Sequence, residues 1–331
     1  MASDSSLQNN SANQGVRITS LVRPENENDF LDLFQAAFRH QMPPELLRWK
    51  YCGLVSPGML VKQDGLPVAF YGGMPRAINL LGTPVMAVQI GDVMVHPRQR
   101  GILSRKGLFF QVASSFLEHF VGDGKTFPVA FGFPSERAFR LAAHLGLYER
   151  VGELMQVSWP ALKARPSYKF LIRPINPDQD VAAVDRLWLE MADALQDQII
   201  GVRDWSYVQQ RYLQHPAFTY QIYLVSSRWT GVPVGIFVIR VHEDTVELLD
   251  MIAPPQRLSI LVHCLRRVAW GLGKPRVHAW ITNQNARLLA GGAGEIASTG
   301  ITIPHNKWTS GIPASKILDR WWLMGGDTDF N

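Results

Sequence analysis

The chain has 331 residues, 47% hydrophobic and 18% charged. That balance excludes disorder as the overall state, and the length predicts about two domains, each able to bury a core. Lys and Arg number 33 against 28 Asp and Glu, a net charge of +5. Such a charge suits an anionic ligand but gives no argument for nucleic acid. Two cysteines, Cys52 and Cys264, cannot build a disulfide framework or a four-cysteine zinc site, and they fit a reducing, cytoplasmic compartment. No apolar run approaches the ~18 residues of a membrane span.

Residues 1–15 are rich in Ser and Asn and read as a disordered tail without the apolar stretch of a signal peptide. Alternation predicts a strand over 16–22. Phe30, Leu33, Phe34, Ala37 and Phe38 then recur at helical spacing, and a second short helix follows over 43–51. Strands are expected near 59–62, 68–71 and 85–95. An amphipathic helix is expected over 102–120, with Leu108, Phe109, Val112, Phe116 and Phe120 as its stripe. A strand at 129–133, a helix at 136–145 and a strand near 153–158 complete a first α/β unit over 16–160. Residues 161–167 read as a linker, and 168–331 as a second domain.

The second domain repeats the first. Leu21-Val-Arg-Pro24 is echoed by Leu171-Ile-Arg-Pro174, Trp49-Lys-Tyr51 by Trp205-Ser-Tyr207, and Gly65-Leu-Pro-Val68 by Gly231-Val-Pro-Val234. Val88–Pro97 aligns with Val246–Pro255, which pairs Asp92 with Asp250. Val129, Ser135, Ala138, Leu141 and Gly146 align with Val277, Asn283, Ala286, Leu289 and Gly294. Echoes in the same order imply two copies of one α/β unit with mixed sheets. Trp188, Trp205, Trp229, Trp270, Trp280, Trp308, Trp321 and Trp322 crowd the second copy, most expected in the core and some on an acceptor groove.

Chemistry concentrates in Gly91-Asp-Val-Met-Val-His-Pro-Arg-Gln-Arg-Gly-Ile-Leu-Ser-Arg-Lys-Gly107. A strand enters a short loop that opens a helix, whose unpaired N–H groups and dipole favour an anion. Gly101 permits close backbone approach. Arg98, Arg100, Arg105 and Lys106 add positive charge, and no acidic residue lies between Asp92 and Glu118. The plainer reading is a basic helix start on a solvated surface.

Val95-His-Pro-Arg-Gln-Arg-Gly-Ile-Leu-Ser104 resembles the signature of the GNAT superfamily of acyl-CoA-dependent N-acyltransferases. In that family a strand ending in Val-x-Pro leads into Arg/Gln-x-x-Gly-x-Gly/Ala around the CoA pyrophosphate. Arg98 and Gly101 match, and Leu103 replaces the small third residue. Gly132-Phe-Pro-Ser-Glu-Arg-Ala-Phe-Arg-Leu-Ala-Ala-His-Leu-Gly-Leu-Tyr148 is similar to the second motif, with Ser135 in place of the usual Asn and Ala142 at the usual Tyr position. The resemblance implies two tandem GNAT-like domains, the second degenerate, since Pro254-Pro-Gln-Arg-Leu258 lacks the loop glycine. Trp321-Trp-Leu-Met-Gly-Gly-Asp-Thr-Asp329 also resembles the ends of some bacterial GNAT-like proteins of surface-polysaccharide pathways.

What the resemblance implies is direct acyl transfer from acetyl-CoA to a primary amine, a small molecule or a surface precursor, with no metal. Met94, Val95, Arg98, Gln99, Arg100, Gly101, Ile102, Leu103, Ser104 and Ser135 are the expected CoA contacts. The thioester carbonyl accepts from backbone N–H near Met94 or Val95. Asp92 is the preferred base, helped by burial or a relaying water, and Glu136 the second candidate. Tyr148 or Tyr71 is the candidate donor to the leaving thiolate. His96 fits packing or a CoA contact equally. Two alternatives stand: a non-catalytic CoA- or partner-binding protein of this fold, or an aminoacyl transferase of the peptidoglycan-crossbridge kind, against which a CoA phosphate loop argues. Asp327 and Asp329 read as a solvated turn rather than a metal site.

Overall fold

The computed structural model describes residues 16–51, 56–163 and 169–328; the tail expected at 1–15 and residues 164–167 of the expected linker lie outside it. The first repeat runs β1 (Arg17–Leu21), α1 (Glu27–Phe38), α2 (Pro44–Tyr51), β2 (Gly58–Gln63), β3 (Leu66–Leu80), β4 (Thr83–Val95), α3 (Leu108–Phe120), β5 (Ala130–Gly132), α4 (Glu136–His144) and β6 (Tyr148–Pro160). The second runs β7 (Phe170–Pro174), α5 (Val181–Ala194), β8 (Ile199–Gly201), α6 (Trp205–Val208), β9 (Gln221–Ser227), β10 (Pro233–Val241), β11 (Thr245–Ile252), α7 (Leu258–Gly271), β12 (Arg276–Thr282), α8 (Asn283–Ala290) and β13 (Glu295–Asn306). The chain continues through α9 (Ala314–Ile317) and β14 (Trp321–Trp322). Among the described residues no helix is long and apolar enough to cross a membrane.

The two mixed sheets show the repeat directly. The first is ordered β1-β2-β3-β4-β5, and the second contains β7-β9-β10-β11-β12 in the same sense. In both, the hairpin strands are antiparallel, and β4–β5 and β11–β12 are parallel. The turns echoed in sequence are the same turns in space: Gly65 and Gly231 both hold positive φ between paired strands, a conformation L side chains rarely adopt.

β6 breaks the symmetry. It follows the first repeat in sequence but hydrogen-bonds in the second sheet, between β12 and β13, antiparallel to both. Small β8 and β14 attach to the first sheet through β3, so each sheet holds strands of the other half. Ile78, Val129, Phe131, Leu154, Ile199, Ile303, Trp321 and Leu323 fill the core where the halves meet. α1 and α2 cover one face of the first sheet, and α3 and α4 the other.

Three expectations change. β3 spans fifteen residues where a strand over 68–71 was expected. Gly72, Gly73 and Pro75 look like breakers, yet a Cβ on Gly73 would lie 2.4 Å from Gln89 O, so glycine there lets two strands meet. The helix expected from residue 102 begins at Leu108, because residues 100–107 form a separate loop. Trp229 and Trp270 are exposed, whereas Trp321 and Trp322 are fully buried.

Candidate active site

β4 and β5 pair only over Val88–Ala130, Gln89–Phe131 and Ile90–Gly132. Beyond that point β4 continues to Val95, while Pro134, which has no N–H, turns the other chain into α4. The strands part around a cleft of about 380 Å³, walled by Ile90, Asp92, Phe109, Phe133, Ser135 and Tyr148. A second cavity of about 360 Å³ lies between α1, α2 and the second half, with Phe38, Trp49, Lys50, Arg76, Asp92 and Arg211 on its walls. Asp92 and Phe38 line both.

A β-bulge places Asp92 there. Phe70 faces Met94 and Gly72 faces Gly91, so Asp92 and Val93 stand opposite Tyr71 alone. Asp92 holds φ +49, a left-handed conformation that costs on the order of 1–3 kcal/mol for a residue with a Cβ. Lys50 Nζ lies 2.7 Å from Asp92 Oδ2, and the Tyr51 hydroxyl donates to the same oxygen at 2.6 Å. Oδ1 accepts no hydrogen bond among the described residues.

The His96 N–H donates to Val68 O, so strand alternation turns the Val95 N–H and C=O toward the open edge of β4. Arg100 Nε takes that carbonyl at 2.8 Å, and its Nη2 donates to Ala37 O. Met94 is buried among α1 and α2 residues, so Val95 rather than Met94 faces the split. Arg98 and Gln99 instead line a separate groove with Asp32 and Asp64. His96 Nδ1 accepts the Arg98 N–H and caps the turn at Pro97.

Gly101 sits at φ +131 with open space where a Cβ would be, and Ile102 and Leu103 project into solvent. The Ser104 hydroxyl accepts the Lys106 N–H. Gly107 is the tight point: a Cβ there would lie 2.0 Å from Ile102 O. The helical ladder starts with Gln111 N to Gly107 O, which leaves the N–H groups of Leu108, Phe109 and Phe110 as the first turn of α3. The donors expected from residue 102 onward therefore come six residues later. Arg105 bonds Leu145 O and stacks on Phe110 and Trp308.

On the other wall, the Ser135 hydroxyl caps α4 by accepting the Ala138 N–H. Glu136 pairs with Arg140 on the exposed face of that helix, which turns it away from base chemistry. The Tyr148 and Tyr71 hydroxyls hydrogen-bond each other, and Tyr71 is fully buried. Burial pushes Tyr148 up to about 12 despite the lowering effect of the Tyr71 bond, and raises Tyr71 well above the usual range. Both stay protonated at neutral pH.

The equivalent split in the second sheet is filled by the chain itself. Thr282 N–H donates to Leu323 O, Met324 bridges to Ile281, and a Cβ on Gly326 would lie 3.0 Å from Leu249 O. Residues 323–326 thus run between β11 and β12. α7 begins directly after Pro255–Arg257, with no loop, and Arg257 pairs with Glu190. Asp327 is buried against Arg203 rather than in a solvated turn; Asp329 lies outside the described residues.

Lys50, Tyr51, Trp49 and Arg211 were not singled out from sequence as site residues. The echo of Trp49-Lys-Tyr51 in Trp205-Ser-Tyr207 carried the signal, since it marked the helix that reaches Asp92 in the first repeat and Asp250 in the second.

Residues 19–152 match the family model of an acetyltransferase (GNAT) domain. This part of the chain is a GNAT-type domain. No curated protein matches the chain in sequence. Among solved structures, a GCN5-related N-acetyltransferase from Kribbella flavida is similar at 16% identity, over 89% of this chain and 72% of that one, with a TM-score of 0.65. A probable N-acyltransferase from Enterococcus faecalis shares 13% identity over 88% and 72%, also with a TM-score of 0.65. N-myristoyltransferase from Saccharomyces cerevisiae, solved with bound myristoyl-CoA, shares 13% over 92% and 80%, at 0.52. At these identities the likeness concerns the fold. The GNAT domain supports acyl transfer in general, and the two repeats are GNAT-like in fold and arranged in tandem, the second degenerate.

Proposed function

We propose that the chain transfers an acyl group, acetyl in the first instance, from acyl-CoA to a primary amine. The observation that carries this reading is the position of Asp92 on the shared wall of two cavities, with Oδ2 anchored and no hydrogen bond to Oδ1 among the described residues. One cavity serves the donor and the other the acceptor.

The donor cleft fits CoA in character. Phe109, Phe133, Pro134 and Ala138 give apolar walls for a pantetheine arm. The first turn of α3, the loop of residues 100–107 and Lys106 would hold the phosphates. An acyl-CoA thioester supplies the activated acyl group. The Val95 N–H faces the open edge, where it would donate to the thioester carbonyl, a contact worth about 3 kcal/mol by analogy with oxyanion holes. Asp92 Oδ1 accepts the proton of the incoming amine. Tyr148, protonated at neutral pH, offers a hydrogen bond to the departing sulfur.

Native mass spectrometry of the purified chain should show retained CoA, and a panel of primary amines with acetyl-CoA should release free thiol. Absence of both with every amine rejects the reading.

A further inference from the structure

Arg211 is an unusual cation. It lies on a π-helical turn, Gln209–Leu213, that follows α6 and reaches the acceptor cavity. It is 3% exposed, yet its three hydrogen bonds go to neutral oxygens: Gly326 O, the Tyr220 hydroxyl and Thr328 O. Among the described residues no carboxylate pairs with it. Trp49, Tyr212 and Tyr220 stack around the guanidinium at 5.4–5.8 Å, which offsets part of the desolvation. A buried charge without a counter-charge is costly, and two of its five N–H donors have no partner among the described residues.

His215 stands beside it, its ring 4.3 Å from that of Trp49. Its Nδ1 accepts the N–H groups of Ala217 and Phe218, which places the proton on Nε2. The imidazole is therefore a neutral donor on the same wall, not a base. Lys50 is already engaged by Asp92, and Arg76 by Gln89. Phe34, Phe38 and Phe218 supply apolar surface around these groups.

We infer that the acceptor is an amine bearing an oxyanion, a carboxylate or a phosphate, on an apolar body, with the oxyanion on Arg211 and the amine toward Asp92. The inference rests on the acyl-transfer reading of this site. The guanidinium fork suits either oxyanion, and the aromatic walls suit an amphipathic molecule.

The test needs no turnover. Binding of L-phenylalanine, phenethylamine and O-phosphoethanolamine to the full chain is measured by ligand-observed NMR without an acyl donor. Phenylalanine should bind at least tenfold tighter than phenethylamine, which has the same ring and amine but no carboxylate. O-Phosphoethanolamine binding tighter than phenylalanine would assign the oxyanion as phosphate; the reverse order assigns carboxylate. Arg211→Lys should shrink the preference and Arg211→Gln abolish it, with acetyl-CoA affinity unchanged. Should the variants fail to fold, inorganic phosphate or acetate must still displace phenylalanine from the unmodified chain. Equal binding of phenylalanine and phenethylamine overturns the inference, as does a preference that survives Arg211→Gln. Acyl transfer to neutral amines with no preference would sink this inference alone. A preference without any acyl transfer would sink the activity instead.

Discussion

The Tyr51 hydroxyl donates to Asp92 Oδ2 at 2.6 Å. The second repeat holds the same pair, with Tyr207 on Asp250 Oδ2 at 3.2 Å. Duplication identifies the Tyr–Asp pair as part of the fold. The difference lies in the other oxygen. Asp250 is fully buried, and its Oδ1 accepts from Arg203 Nε and the Met251 N–H, while Tyr212 also donates to Oδ2. Asp92 lines both cavities, and its Oδ1 accepts no hydrogen bond among the described residues. One copy has spent its carboxylate on structure, and the other retains a lone pair for chemistry.

Asp92→Asn should therefore lower kcat by about 10²-fold or more, with CoA affinity nearly unchanged. An asparagine carbonyl can still accept from Tyr51, but Lys50 loses its carboxylate partner, so the melting temperature should also fall. Asp250→Asn should cost more stability. It removes half the counter-charge of buried Arg203 and should cost about 3 kcal/mol or more. Kinetics and thermal unfolding of the two variants check this. Normal turnover by Asp92→Asn on the true acceptor ends the base assignment.

The loop of residues 100–107 separates contacts that sequence spacing grouped together. Arg98→Ala should leave CoA affinity within about twofold, since Arg98 lines a different groove, and calorimetry reads this directly. Gly101→Asp should abolish binding by bringing a like charge to the phosphates. Gly107→Ala forces a Cβ against Ile102 O and should destabilise by about 1–3 kcal/mol. A Gly107→Ala chain as stable as the parent would mean the loop is not held as described.

Much of this was legible because repeats, turns and periodic faces are local signals. The paired turns at Gly65 and Gly231, the cap at Ser135 and the register of Asp92 with Asp250 all read directly. The helix start did not. Gly101 and Gly107 both look like loop glycines, and only the close approach of Gly107 to Ile102 decides which one caps α3. The position of β6 was equally hidden, because its alternating pattern suits either sheet and its partners lie more than a hundred residues away. Arg211 reads as one cation among 33 until the tertiary fold buries it.

His215 gives the chain a pH signature. Burial, then Arg211 and Arg240, lower its pKa from 6.5 to about 4. Between those values the unfolded chain binds a proton that the folded chain does not, so stability rises with pH there. On acidification stability falls from pH 6.5 toward about 4. His215→Asn preserves an acceptor for the Ala217 and Phe218 N–H groups and removes this contribution. The variant should lose less stability than the parent between pH 6.5 and 4.5 in urea titrations. Parallel curves would show that His215 does not titrate as described.

Strand β6 makes the two halves inseparable. In a 1–160 fragment its partners β12 and β13 are gone, and β5, next in its own repeat, does not pair with it. Thirteen residues would be left as an unpaired strand, a template for aggregation. The fragment would also uncover Ile78, Phe131 and Leu154, which pack against Ile199, Ile303 and Trp321 from the second half. It should be insoluble or inactive, as judged by expression and thiol release. The intact chain should take one CoA, because residues 323–326 occupy the second split and no loop precedes α7. Calorimetric titration should give a stoichiometry of one. A value of two would require residues 323–326 to leave the sheet, and a fully active 1–160 fragment would contradict the pairing of β6.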